Sequence, residues 1–96
     1  MAIESILMSK VSVIVPVHNV AKYLRKCVES IAQQTLTDIE IILIENMSTD
    51  SSYEICLELA NNDKRIKVIK LDRGGISYVR NKGVEAASSP YIAFVD

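Results

Sequence analysis

The residues best suited to chemistry stand directly after apolar runs. His18 and Asn19 follow the run at 11–17, Glu45 and Asn46 follow 39–44, Asp72 and Arg73 follow 65–71, and Asp96 follows 91–95. Carboxylates and amides can accept hydrogen bonds from a nucleobase, and hard carboxylate oxygens suit a divalent ion that neutralises a diphosphate. An acid set right after a buried strand carries a desolvation cost that loops usually avoid, so Glu45 and Asp96 are read as functional. Other phosphate-binding devices are missing: the glycines are Gly74, Gly75 and Gly83, and they form neither G-x-G-x-x-G nor G-x-x-x-x-G-K-[ST].

The elements that must position these groups follow from hydrophobic period. VSVIVPV at 11–17 is a β-branched run suited to a strand buried on both faces. Over 20–34 the period changes, with Val20, Leu24, Cys27, Val28 and Ile31 three or four residues apart on one side of an amphipathic helix. IEIILI at 39–44 is a second buried strand, and Ser48, Thr49 or Asp50 can cap the helix that runs on to about residue 61 with Ile55, Cys56, Leu59 and Ala60 inward. RIKVIKL at 65–71 alternates charge with apolar groups, as a strand near a sheet edge does. The glycine pair 74–75 permits a turn with positive φ. A third helix over 76–87 is expected to bury Ile76, Val79, Val84 and Ala87, with Gly83 close to a neighbouring backbone; YIAFV at 91–95 then reads as a fourth buried strand.

The pattern β-α-β-α-β-α-β predicts an α/β fold of three Rossmann-like layers: a mostly parallel four-stranded sheet with right-handed crossovers and helices on both faces. Ligands of such sheets bind beyond the carboxyl ends of the strands, where strand order reverses, and His18, Asn19, Glu45, Asn46 and Asp96 all fall there.

Composition bounds the partners. Eleven basic residues nearly balance twelve acidic ones without forming a dense stripe, so nucleic acid is set aside. The apolar runs are too short to span a bilayer, and residues 1–10, read as an N-terminal extension ahead of a domain over 11–96, lack the basic and long apolar regions of a signal peptide. A cytoplasmic location is expected, or a peripheral one at the inner face of a membrane. Cys27 and Cys56 have no His or Cys at ligand spacing and are read as packing residues.

Six segments in order resemble family 2 glycosyltransferases: Val11-Ser-Val-Ile-Val-Pro-Val-His-Asn19, Ser30-Ile-Ala-Gln-Gln-Thr-Leu36, Asp38-Ile-Glu-Ile-Ile-Leu-Ile-Glu45 with Ser48-Thr-Asp50, Gly74-Gly-Ile-Ser77, Arg80-Asn81 with Gly83, and Tyr91-Ile-Ala-Phe-Val-Asp96. The resemblance covers nearly the whole chain from Val11. It implies a GT-A fold, its amino-terminal nucleotide-sugar-binding half, and inverting transfer from a nucleoside-diphosphate sugar, most often a UDP-sugar, to a saccharide or lipid-linked saccharide in polysaccharide biosynthesis. It further implies Mg²⁺ or Mn²⁺ on the diphosphate. Pro16, Val17, His18 and Asn19 would line the base and ribose pocket with Asn46 beside them, Glu45 would accept a hydrogen bond from uracil, Arg80 would lie near the diphosphate, and Asp96 would be the first acid of the D-x-D metal motif.

The sequence departs from the family where Glu45-Asn46-Met47 replaces Asp-Asp-Gly and where His18 replaces a tyrosine. The general base lies beyond Asp96, so the chain alone is expected to be inactive, and an apolar strand 91–95 without later neighbours is expected to self-associate. Each choice has a bland counterpart: Asn19 as a helix cap, His18 as a loop histidine, Arg80 as a solvated helix residue. Two rival functions are a phosphoacceptor domain, which wants an acidic pair where His18-Asn19 stands, and a non-catalytic nucleotide-binding or assembly module.

Overall fold

The computed structural model describes residues 11–34 and 38–95; the N-terminal extension 1–10 and Asp96 lie outside them. Strands β1 (Val11–Val17), β2 (Ile39–Asn46), β3 (Ile66–Leu71) and β4 (Tyr91–Phe94) alternate with helices α1 (Ala21–Ala32), α2 (Ser52–Asn62) and α3 (Ile76–Ala86). All pairings are parallel in the order β3-β2-β1-β4, with Val17 beside Glu45 and Asn46 beside Leu71 at the carboxyl end.

Topology decides which face each helix covers. The chain steps β1 to β2 to β3 in one direction and then returns past β1 to β4, and right-handed crossovers of opposite direction place their helices on opposite faces. Val13, Val15, Val17, Ile41 and Leu43 accordingly pack with Leu24 and Val28 of α1 and Cys56 and Leu59 of α2. Ile14, Ile42 and Ile44 pack with Val79 of α3. The sheet is the middle of three layers, as expected.

Three expectations need correction. β4 is not a buried strand: Tyr91, Ile92 and Phe94 are 53%, 39% and 45% exposed, because among the described residues β4 is an edge with β1 as its one partner. Ile76 and Val84 of α3 are exposed, since the helix meets the sheet along a narrow stripe through Val79 and Gly83. Gly83 meets a side chain rather than backbone: a Cβ there would lie 2.5 Å from Ile14 Cγ2. β3 is an edge strand as its alternation implies. Cys27 is half-buried and Cys56 fully buried, both free thiols, and burial with the nearby Glu45 charge pushes the Cys56 thiol up to about 11, an unreactive packing group.

At the amino end of the sheet a buried carboxylate ties the layers. Glu40 accepts from Ser12 Oγ (2.6 Å), from the Lys67 ammonium, and from the amide (3.0 Å) and hydroxyl of Ser88, just past α3. Burial would raise its pKa; the bond to Lys67, then those to Ser12 and Ser88, outweigh it and bring the group from 4.5 to about 2.

Candidate functional site

A cleft of about 390 Å³ opens at the carboxyl end of the sheet on the α3 side. Pro16, Val17 and His18 from β1, Asn46 and Met47 from β2, Gly74 and Gly75 from the β3–α3 loop, and Ile76 and Val79 from α3 form its walls. Strand alternation sends Ile42, Ile44 and Asn46 to this face and Ile41, Leu43 and Glu45 to the other.

Asn46 is the hub. Its backbone carbonyl lies 2.6 Å from His18 Nδ1, and since a carbonyl only accepts, the proton of that contact sits on Nδ1 and the ring's second nitrogen is left for another partner. Its Nδ2 donates to the Gly74 carbonyl at 3.0 Å, which fixes the amide orientation. Its Oδ1 is buried with no protein partner, an arrangement that costs about 1–3 kcal/mol. Met47, next in the chain, has φ 58°, and Gly74 has φ 113°, so left-handed backbone lies on two sides of the cleft. Such conformations collect at functional sites because the surrounding structure must hold them.

Glu45 does not line the cleft. Its side chain is 1% exposed, faces the α1–α2 layer, and accepts the Ser48 amide at 2.9 Å, bracing the turn that carries Met47. Of the two residues expected at the end of this strand, Asn46 lies in the cleft lining and Glu45 lies behind it.

Asn19 is also committed elsewhere. It precedes Val20, the N-cap of α1, has φ 52°, and its Oδ1 accepts the Thr49 amide (2.7 Å), the Asp50 amide (3.3 Å) and the Thr49 hydroxyl (3.3 Å). In return Ser48 Oγ accepts from Asn19 N (3.0 Å), Ser52 Oγ from Val20 N (3.0 Å) and Asp50 Oδ2 from Ala21 N (3.1 Å), while Asp50 Oδ1 accepts from Ser52 N (2.9 Å). Asp50 thus serves the start of α2, as expected, and that of α1 as well. The Ser52 hydroxyl first, against some burial, and then the two amides hold its carboxyl below the ordinary range.

Arg80 lies on α3 outside the cleft lining, its guanidinium 5.5 Å from the centre of the Phe94 ring. The expected metal ligand Asp96 is outside the described residues, among which no group of three His, Cys, Asp or Glu side chains could hold a metal ion. Sequence reasoning did not name Met47, Ile76 or Val79 as cleft residues, and it read Gly74 and Gly75 as a turn inside a segment resembling the family without placing them at the site. The glycine pair after a strand was the available signal.

An all-parallel sheet between two helical layers, with a cleft beyond its strand ends, makes this a Rossmann-like α/β domain. Its sequence narrows this further: residues 12–96 match the profile of "Glycosyl transferase family 2", and the chain belongs to that family. It is 48% identical over 87 residues to glycosyltransferase GlyA of Streptococcus pneumoniae serotype 4, covering 91% of this chain and 12% of that protein. It is 48% identical over 86 residues to the uncharacterized glycosyltransferase EpsJ of Bacillus subtilis, covering 90% and 25%. The chain thus spans a quarter or less of these relatives' length. The crystal structure of S. aureus TarS 1-349 in complex with UDP superposes with a TM-score of 0.80 at 33% identity, over 91% of this chain and 27% of that one. Mannosyltransferase PcManGT of Pyrobaculum calidifontis, in complex with GDP-Man and Mn²⁺, shares the fold with a TM-score of 0.79 at 20% identity, over 88% and 26%.

Proposed function

We propose that this chain forms the nucleotide end of the donor site of an inverting glycosyltransferase whose donor is a nucleoside-diphosphate sugar, UDP-linked by preference. The observation that carries the reading is the cleft centred on Asn46, whose partnerless Oδ1 sits at the strand ends where GT-A proteins take their ligand. The UDP complex of TarS, a third identical over this span, supports the choice of nucleotide. Pro16, Val17, His18 and Asn46 line the base and ribose end. Asn19 and Glu45 shape it from behind.

Arg80 and Asp96 complete the diphosphate end of the proposal. Asp96, after β4, would hold a divalent ion, Mg²⁺ or Mn²⁺, and its charge would neutralise the diphosphate leaving group. β4 runs parallel to β1, so its carboxyl end opens on the same side of the sheet as the cleft.

The acceptor is a saccharide or lipid-linked saccharide of a polysaccharide pathway, with the enzyme in the cytoplasm or at the inner face of a membrane; no described helix is long and apolar enough to cross one. The 96 residues alone bind donor without transferring sugar, and in isolation act as a nucleotide-binding module. The exposed Tyr91, Ile92 and Phe94 edge, next to an apolar hollow of about 320 Å³ lined by Val15, Tyr23, Leu24 and Val95, favours self-association through β4.

Calorimetric titration with UDP, with and without Mn²⁺, tests the reading. Saturable UDP binding that tightens with Mn²⁺ is expected, and no binding of UDP or GDP under either condition overturns it.

A further inference from the structure

Neither α1 nor α2 is capped by its own N-cap side chain: Val20 cannot, and Ser51 makes no such bond. The amides at and just before the start of α1 are taken instead by the loop before α2 and by the first residue of α2. Asn19, Val20 and Ala21 donate in succession to Ser48, Ser52 and Asp50, some 30 residues on, and Asn19 Oδ1 returns the contact to Thr49 and Asp50. One carboxylate, Asp50, accepts from the first turns of both helices, where two positive dipole ends favour an anion.

The weld sits directly behind the cleft wall. His18 immediately precedes it in one loop and Met47 in the other, and both line the cleft. Its margins are the left-handed residues Asn19 and Met47, conformations that persist only where neighbours over-determine them. Releasing the tie lets φ at both positions relax, which re-aims His18 and the Asn46–Met47 turn.

We infer that Asp50 and Asn19 are positioning residues of the donor site: they touch no nucleotide, and they set its affinity by welding two strand-end loops into one rigid wall. This rests on the nucleotide reading above. It reassigns Asn19 from ligand contact to brace and adds Asp50, with Ser48 and Ser52 as their partners.

The 96-residue chain supports the test. Asp50→Ala removes the shared acceptor, Asn19→Gly removes the return acceptor while suiting a positive φ, and Ser48→Ala and Ser48→Thr delete and retain a hydroxyl. Each is measured well below its melting temperature, with folding checked by slow amide exchange in residues 41–44. Faster exchange at 19–21 is expected in the first three variants. UDP and GDP affinity should both fall by about three- to tenfold, the scale of one or two hydrogen bonds, with the UDP/GDP preference unchanged and Ser48→Thr close to wild type. Faster exchange with unaltered affinity overturns the positioning role and leaves the nucleotide reading intact. A changed UDP/GDP preference in Asn19→Gly overturns it in favour of direct contact. A wild-type chain that binds neither nucleotide overturns the nucleotide reading, and the positioning role falls with it.

Discussion

The two ends of this sheet treat a buried polar side chain in opposite ways. At the amino end, Glu40 is a full charge with its oxygens saturated by Ser12, Lys67 and Ser88. At the carboxyl end, Asn46 is a neutral amide with one atom bonded and the other orphaned, between left-handed Met47 and Gly74. Both residues lie on β2, six positions apart, on the same face. The contrast is between a corner tied for stability and an acceptor left unpaired: Ser89 Oγ, just past Ser88, is also buried without a partner, so what sets Asn46 apart is that its orphaned oxygen belongs to a residue lining a cleft between two left-handed positions.

The strongest way to break that comparison is Glu40→Ala. It leaves the buried Ser12 hydroxyl without its acceptor and unties α3's exit from the sheet, so a loss of about 2–3 kcal/mol is expected in urea melts at pH 7. UDP affinity of the folded chain should not change. Because the folded pKa is depressed, the stability that Glu40 contributes is complete above its ordinary value of 4.5 and drains away as pH falls toward about 2. Melts repeated across that window should converge for wild type and variant. Persistent separation at the acid end would show that shape rather than charge holds this corner.

Asn46→Ala should give the reverse pattern. It removes one hydrogen bond to Gly74 and, with it, one orphaned acceptor, so the two terms nearly cancel and stability stays within about 1 kcal/mol of wild type. Nucleotide binding should suffer by about tenfold or more, the worth of a lost hydrogen bond in a cleft. A variant that is strongly destabilised but binds UDP normally would make Asn46 a packing residue and remove the contrast.

Much of this division was legible in the sequence, and the failures have physical causes. β-branched runs and three-to-four-residue spacing identify every strand and helix because burial on two faces, or on one stripe, constrains residue type directly. They identify only one of the two edges: the charged alternation of 65–71 marks β3, whereas YIAFV reads as interior strand and β4 pairs with β1 alone among the described residues. The direction of Glu45 was half-readable. Counting from Ile39 puts Ile41, Leu43 and Glu45 on one face and Ile42, Ile44 and Asn46 on the other, but which face carries the cleft depends on where α3 crosses, a property of the whole chain. Ser48 and Asp50 advertise helix capping by residue type, whereas their partners Asn19 and Ala21 are about thirty residues away and leave no local signal.

The finest test concerns Met47. Its φ of 58° places a side chain in a region where a Cβ crowds the following carbonyl, a penalty of about 1 kcal/mol that glycine escapes. The side chain is largely exposed and contributes little packing, so Met47→Gly should leave the fold about 0.5–1 kcal/mol more stable or neutral, the relief being offset by the greater freedom glycine has when unfolded. What Met47 adds is an apolar lip on the cleft. If the carboxyl end exchanges stability for binding, the same substitution should weaken UDP by about two- to fivefold, the scale of a partly buried apolar contact. Stability and affinity moving in opposite directions, read by urea melts and calorimetry on one variant, would sharpen the contrast between the two ends. Both falling together would mean that Met47 packs into the fold and that its strain is incidental.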